Sequence, residues 1–159
     1  MNYFESVGVE LASAIDRATI EQSSISLETY VERLKEIEEA FVSKVLGDST
    51  MRIEVLRRVA EAVFLAHLAK KATPELCESR FHGLRELGFS SRDRELTYHI
   101  IYSRHCLLTN NISTGIAVLE PLVHELGESG FVNTNEITGS DVVIAAELLS
   151  ELRHRRGLL

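Results

Sequence analysis

The chain has 159 residues, of which 45% are hydrophobic and 26% charged, and its formal net charge is −7. This length and composition predict a single domain over residues 1–159, and the acidic balance argues against nucleic acid as a partner, because a phosphate-binding surface needs a basic excess. No run of 18 apolar residues and no basic leader occurs, so we expect neither a membrane partner nor a secretion signal.

Apolar residues recur at helical spacing along almost the whole chain. No alternating strand pattern and no Asn-Gly hairpin interrupts them. We therefore predict an all-α fold of about seven helices, arranged as stacked helical hairpins or as an irregular bundle. The predicted helices cover roughly residues 3–20, 27–45, 51–69, 74–87, 91–109, 112–126 and 141–155.

Capping residues set the expected helix ends. Thr73-Pro74-Glu75 combines an N-cap threonine, a proline at the first helical position and an acidic residue at the positive end of the helix dipole. Ser90 with Asp93 and, later, Ser140 are the predicted caps of helices 5 and 7. Pro121 falls inside helix 6, where the missing N–H and the crowded carbonyl predict a kink.

Helices 3 and 4 align with helices 5 and 6 when the sequence is shifted by 39 positions. Glu86-Leu87-Gly88 then falls on Glu125-Leu126-Gly127, and the turn "KATPELC" falls on "NNISTGI". Few side chains match, so the shared feature is geometry. The alignment predicts two equivalent helical hairpins, and stacked hairpins bury the apolar faces that one pair leaves open.

The second hairpin resembles a tetratricopeptide repeat. The positions of that family's pattern are filled by Tyr102, Ser103, Cys106, Asn110, Gly115, Leu119 and Leu122. In the first hairpin, Leu76 and Arg80 depart from the pattern, and a period of 39 exceeds the family's usual 34 or so. The resemblance places Gly115 where the two helices of the hairpin cross, close to Cys106.

The resemblance also implies a partner-binding surface. In such stacks the first helix of each pair lines a groove. Carried over to this chain, the surface includes Arg58, Glu61 and Leu65 of helix 3 and Thr97 and Arg104 of helix 5. Arginine beside apolar residues suits peptide binding, because its guanidinium can hold a carboxylate bidentately.

Catalytic and metal chemistry find little support in the sequence. Glu95/His99 and Glu120/His124 each place a carboxylate and an imidazole one helical turn apart, but such pairs are common solvated contacts. Cys106 reads as a core thiol, and no phosphate loop, dinucleotide fingerprint or nucleophile elbow is present. We therefore expect no catalytic residue, no metal and no cofactor.

The favoured hypothesis is a non-enzymatic, cytoplasmic helical-repeat adaptor. It would bind a protein or peptide, as an immunity protein, a chaperone or a regulator does, and the acidic charge fits a basic partner. A helical-bundle enzyme or metal-binding protein is the alternative, and stoichiometric metal in the purified protein would favour it. A third hypothesis is a homo-oligomer that associates through helix 1, which light scattering would detect.

Overall fold

A computed structural model describes residues 2–128 and 139–158, and within these two ranges the chain forms seven α-helices and no strand, which confirms the predicted all-α fold. Among the described residues, no helix is both long enough and apolar enough to cross a membrane. A single 3₁₀ turn, Gln22–Ser24, separates the first two helices. The helices are α1 (Tyr3–Ile20), α2 (Leu27–Lys44), α3 (Ser49–Ala69), α4 (Pro74–Leu87), α5 (Arg92–Leu108), α6 (Ile112–Glu128) and α7 (Gly139–Gly157).

Side-chain caps explain most helix starts. The Thr73 hydroxyl accepts from the Leu76 backbone N–H at 3.3 Å, and Pro74 opens α4, as predicted. The predicted cap of α5 is wrong by one residue, because Ser91 rather than Ser90 accepts from the Arg94 backbone N–H. The two serines have the same capping chemistry, so composition alone does not choose between them.

The last two helices differ from their predicted bounds. α6 continues through Gly127 to Glu128, and α7 begins at Gly139, so Ser140 lies inside α7 and is not its cap. Most of the predicted irregular segment, residues 129–138, lies outside the described residues. Pro121 sits within α6, and the kink expected there stays a prediction.

The chain divides into two compact units, residues 1–88 and 89–159. Each is described by itself below, and the single domain over residues 1–159 stays a prediction. In the first unit, α1 packs on α2, α2 on α3 and α3 on α4, and α1 also contacts α3. One cluster centres on Tyr30 and Leu34 of α2, and a second joins α1, the end of α2 and Val55 of α3. α1 and α3 thus share a core.

In the second unit, each of α5, α6 and α7 packs against the other two. One apolar cluster fills the space between them, with Leu119 and Leu152 fully buried. Gly115 sits at the closest approach: a Cβ built on it would lie 3.1 Å from Cys106 Cβ and 3.2 Å from Leu152 Cδ2. The expected contact with Cys106 is confirmed, and the structure adds a contact with α7.

The turns after α3 and α5 have the same backbone geometry, 39 positions apart. Lys71 and Asn110 both adopt positive φ, at 54° and 60°. In each turn, the N–H of the next residue donates to a carbonyl five residues earlier, the pattern of a Schellman motif. These bonds are Ala72 N to His67 O at 3.0 Å and Asn111 N to Cys106 O at 2.7 Å. The shift of 39 therefore describes both turns.

The second helices of the two hairpins follow a different shift. α4 starts at Pro74 and α6 at Ile112, so the two starts are 38 positions apart, and the second connection is one residue shorter. A shift of 38 places each buried residue of α4, namely Cys77, Phe81 and Leu84, on a buried residue of α6, namely Gly115, Leu119 and Leu122. The shift of 39, which aligns residues 86–88 with residues 125–127, therefore does not align the buried faces of α4 and α6. That the two hairpins superpose stays a prediction.

Candidate functional site

An open groove runs between α1 and α3 in the first unit, and we call it the α1–α3 groove. Its volume is about 500 Å³. No residue of α2 or α4 lines it. It is lined by Glu5, Val7, Gly8, Val9, Leu11, Ala12, Ile15, Met51, Glu54, Val55 and Arg58. The α1 side covers residues 5–15, or about 15 Å at the helical rise, which is about three turns.

The apolar floor of the groove follows from how α1 is anchored. Val7 and Leu11, one turn apart, are buried with Phe41 of α2, Val45 at the C-cap of α2 and Val55 of α3. A capping box fixes the start of α1, in which Asn2 Oδ1 accepts from Glu5 N at 2.8 Å. The rest of the α1 lining consists of Glu5, Gly8, Val9, Ala12 and Ile15.

The outer wall of the groove is made of small or exposed residues. Gly8 and Ala12 lie one turn apart and are both exposed, and a Cβ on Gly8 would meet no atom within 4 Å. Val9, between them, keeps 54% of its surface exposed. An apolar depression therefore remains open to solvent between α1 and α3.

Charged groups stand at the border of the groove. Arg58 Nε donates to Glu54 Oε1 at 3.0 Å, and its Nη1 lies 4.0 Å from a carboxylate oxygen of Glu61. On α1, the exposed Glu5 carboxylate accepts a hydrogen bond from the Asn2 backbone N–H at 3.1 Å. The one guanidinium of the lining thus faces carboxylates of its own helix, and the border has a net negative charge.

Of the residues predicted on α3, the structure places one in the groove. Arg58 lines it. Glu61 is only 3% exposed, so its side chain is packed beside Arg58 and cannot serve as an exposed contact. A carboxylate beside an arginine on one helix face can be buried as an ion pair, and a role of Glu61 in partner binding stays a prediction. Leu65 is 39% exposed but is not part of the lining.

Thr97 and Arg104, the predicted contacts on α5, are both exposed and belong to the second unit. They lie seven residues apart, which puts them on the same helix face. Their role in partner binding stays a prediction. The sequence analysis does not predict the α1 lining, although Gly8 inside a helix is a usable indication, since glycine there costs about 1 kcal/mol relative to alanine.

The carboxylate–imidazole pairs do not form metal sites among the described residues, where no three potential ligands come together. His99 is buried, and its Nδ1 lies 2.6 Å from the Glu95 carbonyl oxygen, to which it donates. The Glu95 carboxylate instead pairs with Arg92 at 2.8 Å. Cys106 is a buried cysteine that is not part of a disulfide.

Glu120 and His124 border a second depression, of about 620 Å³, between α6 and α7. Glu120 Oε2 accepts from Arg153 Nη2 at 2.6 Å, and this bond lowers the pKa of the glutamate. The negative charge of Glu120 and the positive charge of Arg153 balance each other in this exposed ion pair. The α1–α3 groove, with its more apolar lining and unbalanced border, is the stronger candidate for binding.

Comparison with protein-family models, curated proteins and solved structures gave no match to this chain. The function is therefore argued from the α1–α3 groove and the chemistry of its lining.

Proposed function

We propose that this protein is a non-enzymatic adaptor that binds a segment of another protein in the α1–α3 groove. The observation that carries the proposal is the open apolar depression between two helices that are themselves anchored in a core. Grooves of this kind accept an amphipathic segment whose apolar side chains complete the packing. An immunity protein, a chaperone or a regulator would each work through such a surface.

The chemistry around the groove supports binding more than catalysis. Its lining holds two carboxylates and one guanidinium, and no histidine, cysteine or hydroxyl nucleophile. A bound segment would gain by burying Val9, which keeps 54% of its surface exposed, and burial of apolar surface stabilises by about 25 cal/mol per Å². We place the adaptor in the cytoplasm, where its two buried cysteines, Cys77 and Cys106, stay reduced.

Filling the groove tests this proposal. Gly8→Leu puts a side chain into open space, where no atom lies within 4 Å of the new Cβ. Gly83→Leu is the matched control, since Gly83 also lies in a helix with no atom within 4 Å of its Cβ, but on α4. Both variants replace a helical glycine and should fold at least as stably as wild type.

The wild type and both variants are used to capture proteins from native cells, and each captured protein is then purified and titrated. We expect a partner whose affinity falls about tenfold or more with Gly8→Leu and is unchanged with Gly83→Leu. Equal affinities for all three proteins would show that the groove is not the binding surface.

A further inference from the structure

We infer that the segment bound by the α1–α3 groove is an amphipathic helix with lysine or arginine beside its apolar face. This inference rests on the proposed function and adds the conformation and charge of the partner. It follows from the length of the groove, the size of the residues along its wall and the sign of the charges at its border.

The shape of the groove favours a helix as the occupant. α1, α2 and α3 contact one another, and the groove lies between α1 and α3 with no lining from α2. A helix laid there would contact both α1 and α3, as neighbouring helices of a bundle do. About three turns of α1 line the groove, which matches the i, i+3, i+4, i+7 anchors of a helix in a groove.

Small residues on the wall permit close approach of such a helix. Gly8 and Ala12 lie one turn apart on α1, so they form a shallow strip beside the floor of Val7 and Leu11. Helix axes pack 8–10 Å apart, with the distance set by the side chains at the contact. The strip lets apolar side chains of the occupant reach that floor.

The charges at the border set the charge of the occupant. Arg58 is already held by Glu54 at 3.0 Å, so little of its charge is left for a partner. Glu5 is exposed, and Asp16 lies eleven residues further on the same face of α1 and is also exposed. Acidic groups thus stand near both ends of the α1 side, in a chain with a net charge of −7. Lysine or arginine flanking the apolar residues complements them.

The test is a selection from a displayed library of helical peptides. Apolar residues are fixed at i, i+3, i+4 and i+7, and all other positions are random. Peptides are selected on the wild-type protein and depleted on Gly8→Leu, with Gly83→Leu as the control that must keep binding. We expect the selected peptides to be enriched in lysine and arginine beside the apolar face, and to bind about tenfold more weakly to Gly8→Leu.

A charge reversal gives a second readout. Asp16→Arg should weaken the selected peptides by about fivefold or more, whereas Glu36→Arg, on an exposed face of α2, should leave their affinity unchanged. Groove-dependent peptides without basic enrichment, or with acidic enrichment, would overturn this inference and leave the proposed function standing.

If no peptide distinguishes Gly8→Leu from wild type, the groove does not bind helices, which overturns this inference and leaves the proposed function standing. Two other results would overturn the proposed function itself. If a fatty acid or an apolar dye binds wild type but not Gly8→Leu while no peptide does, the groove is a small-molecule site. If light scattering shows a wild-type dimer that Gly8→Leu dissociates, a second copy of this chain occupies the groove.

Discussion

Gly115 is the residue where three helices of the second unit come closest. Its missing side chain leaves room for Cys106 on α5 and for Leu152 on α7. The Ser103 hydroxyl also donates to the Gly115 carbonyl at 3.4 Å, which supports the close approach of α5 and α6. Cys106 Cβ is attached directly to the backbone and cannot rotate away, so an added methyl at Gly115 must move a helix.

We expect Gly115→Ala to lower the free energy of unfolding by about 1 kcal/mol, because overpacking outweighs the gain in helix propensity. Gly115→Leu should cost about 3 kcal/mol or fail to fold. Gly83→Ala is the control, because its new Cβ meets no atom within 4 Å, and it should raise stability by up to about 1 kcal/mol. Urea denaturation measures all three, and a Gly115→Ala protein more stable than wild type would contradict the close contact.

Glu38 on α2 provides a pH-dependent test at a single residue. Burial, followed by the neighbouring Glu39 carboxylate, raises the pKa of Glu38 in the folded protein. The folded state therefore holds this proton more tightly than the unfolded state, so the ionised form lowers stability at neutral pH, and the loss is relieved as pH falls through the folded pKa.

We expect Glu38→Gln to raise Tm at pH 7, and we expect the difference from wild type to shrink as pH approaches the ordinary glutamate value near 4.5. Thermal melts across this range measure the effect. Glu32→Gln, an exposed position on the same helix, is the control. A Glu38→Gln difference that grows on acidification would mean that the carboxylate stabilises the fold.

At the scale of elements, the two hairpin turns offer a paired comparison. Both place a non-glycine residue at positive φ, but Lys71 has a long side chain, whereas asparagine tolerates this conformation through local hydrogen bonding. We expect Lys71→Gly to stabilise the protein by about 1 kcal/mol and Asn110→Gly to stabilise it less. Thermal melts of the two variants decide this, and a larger gain at Asn110 would contradict it.

A helix start was predictable where the sequence offers only one candidate capping residue. Thr73-Pro74 gave a unique answer, whereas Ser90 and Ser91 offered the same chemistry, and the second serine is the cap. The repeat shift was correct over the turns, where a few backbone hydrogen bonds decide the geometry. It failed over α6, because a connection shorter by one residue changes which side chains are buried.

At the scale of the molecule, the all-α class was predictable because a period of 3.6 residues continues along nearly the whole chain. The α1–α3 groove was not, because it depends on a contact between two helices that are separated in sequence by the whole of α2. Periodicity shows that α1 has an apolar face, but it does not show which part of that face is left uncovered by the other helices of the unit. Arg58 was found only because the tetratricopeptide resemblance selected the same face of α3.

Calorimetry tests the prediction of a single domain. The second unit has about 70 residues, and cores of that size seldom supply more than about 3–5 kcal/mol on their own. We therefore expect one cooperative thermal transition, with equal calorimetric and van't Hoff enthalpies. Gly115→Ala should move the entire transition. Two transitions, of which Gly115→Ala moves only one, would show that the units unfold independently.

The order of packing along the chain also has a consequence for how quickly the protein reaches its fold. In the first unit each helix packs against the helix that follows it, and the longest-range pairing, α1 with α3, skips only one helix. Chains dominated by such local contacts have low contact order and refold in microseconds to milliseconds. Stopped-flow refolding should therefore finish largely within the dead time. Since translation takes seconds, each helix pair of the first unit can form as soon as it leaves the ribosome, before the second unit has been made.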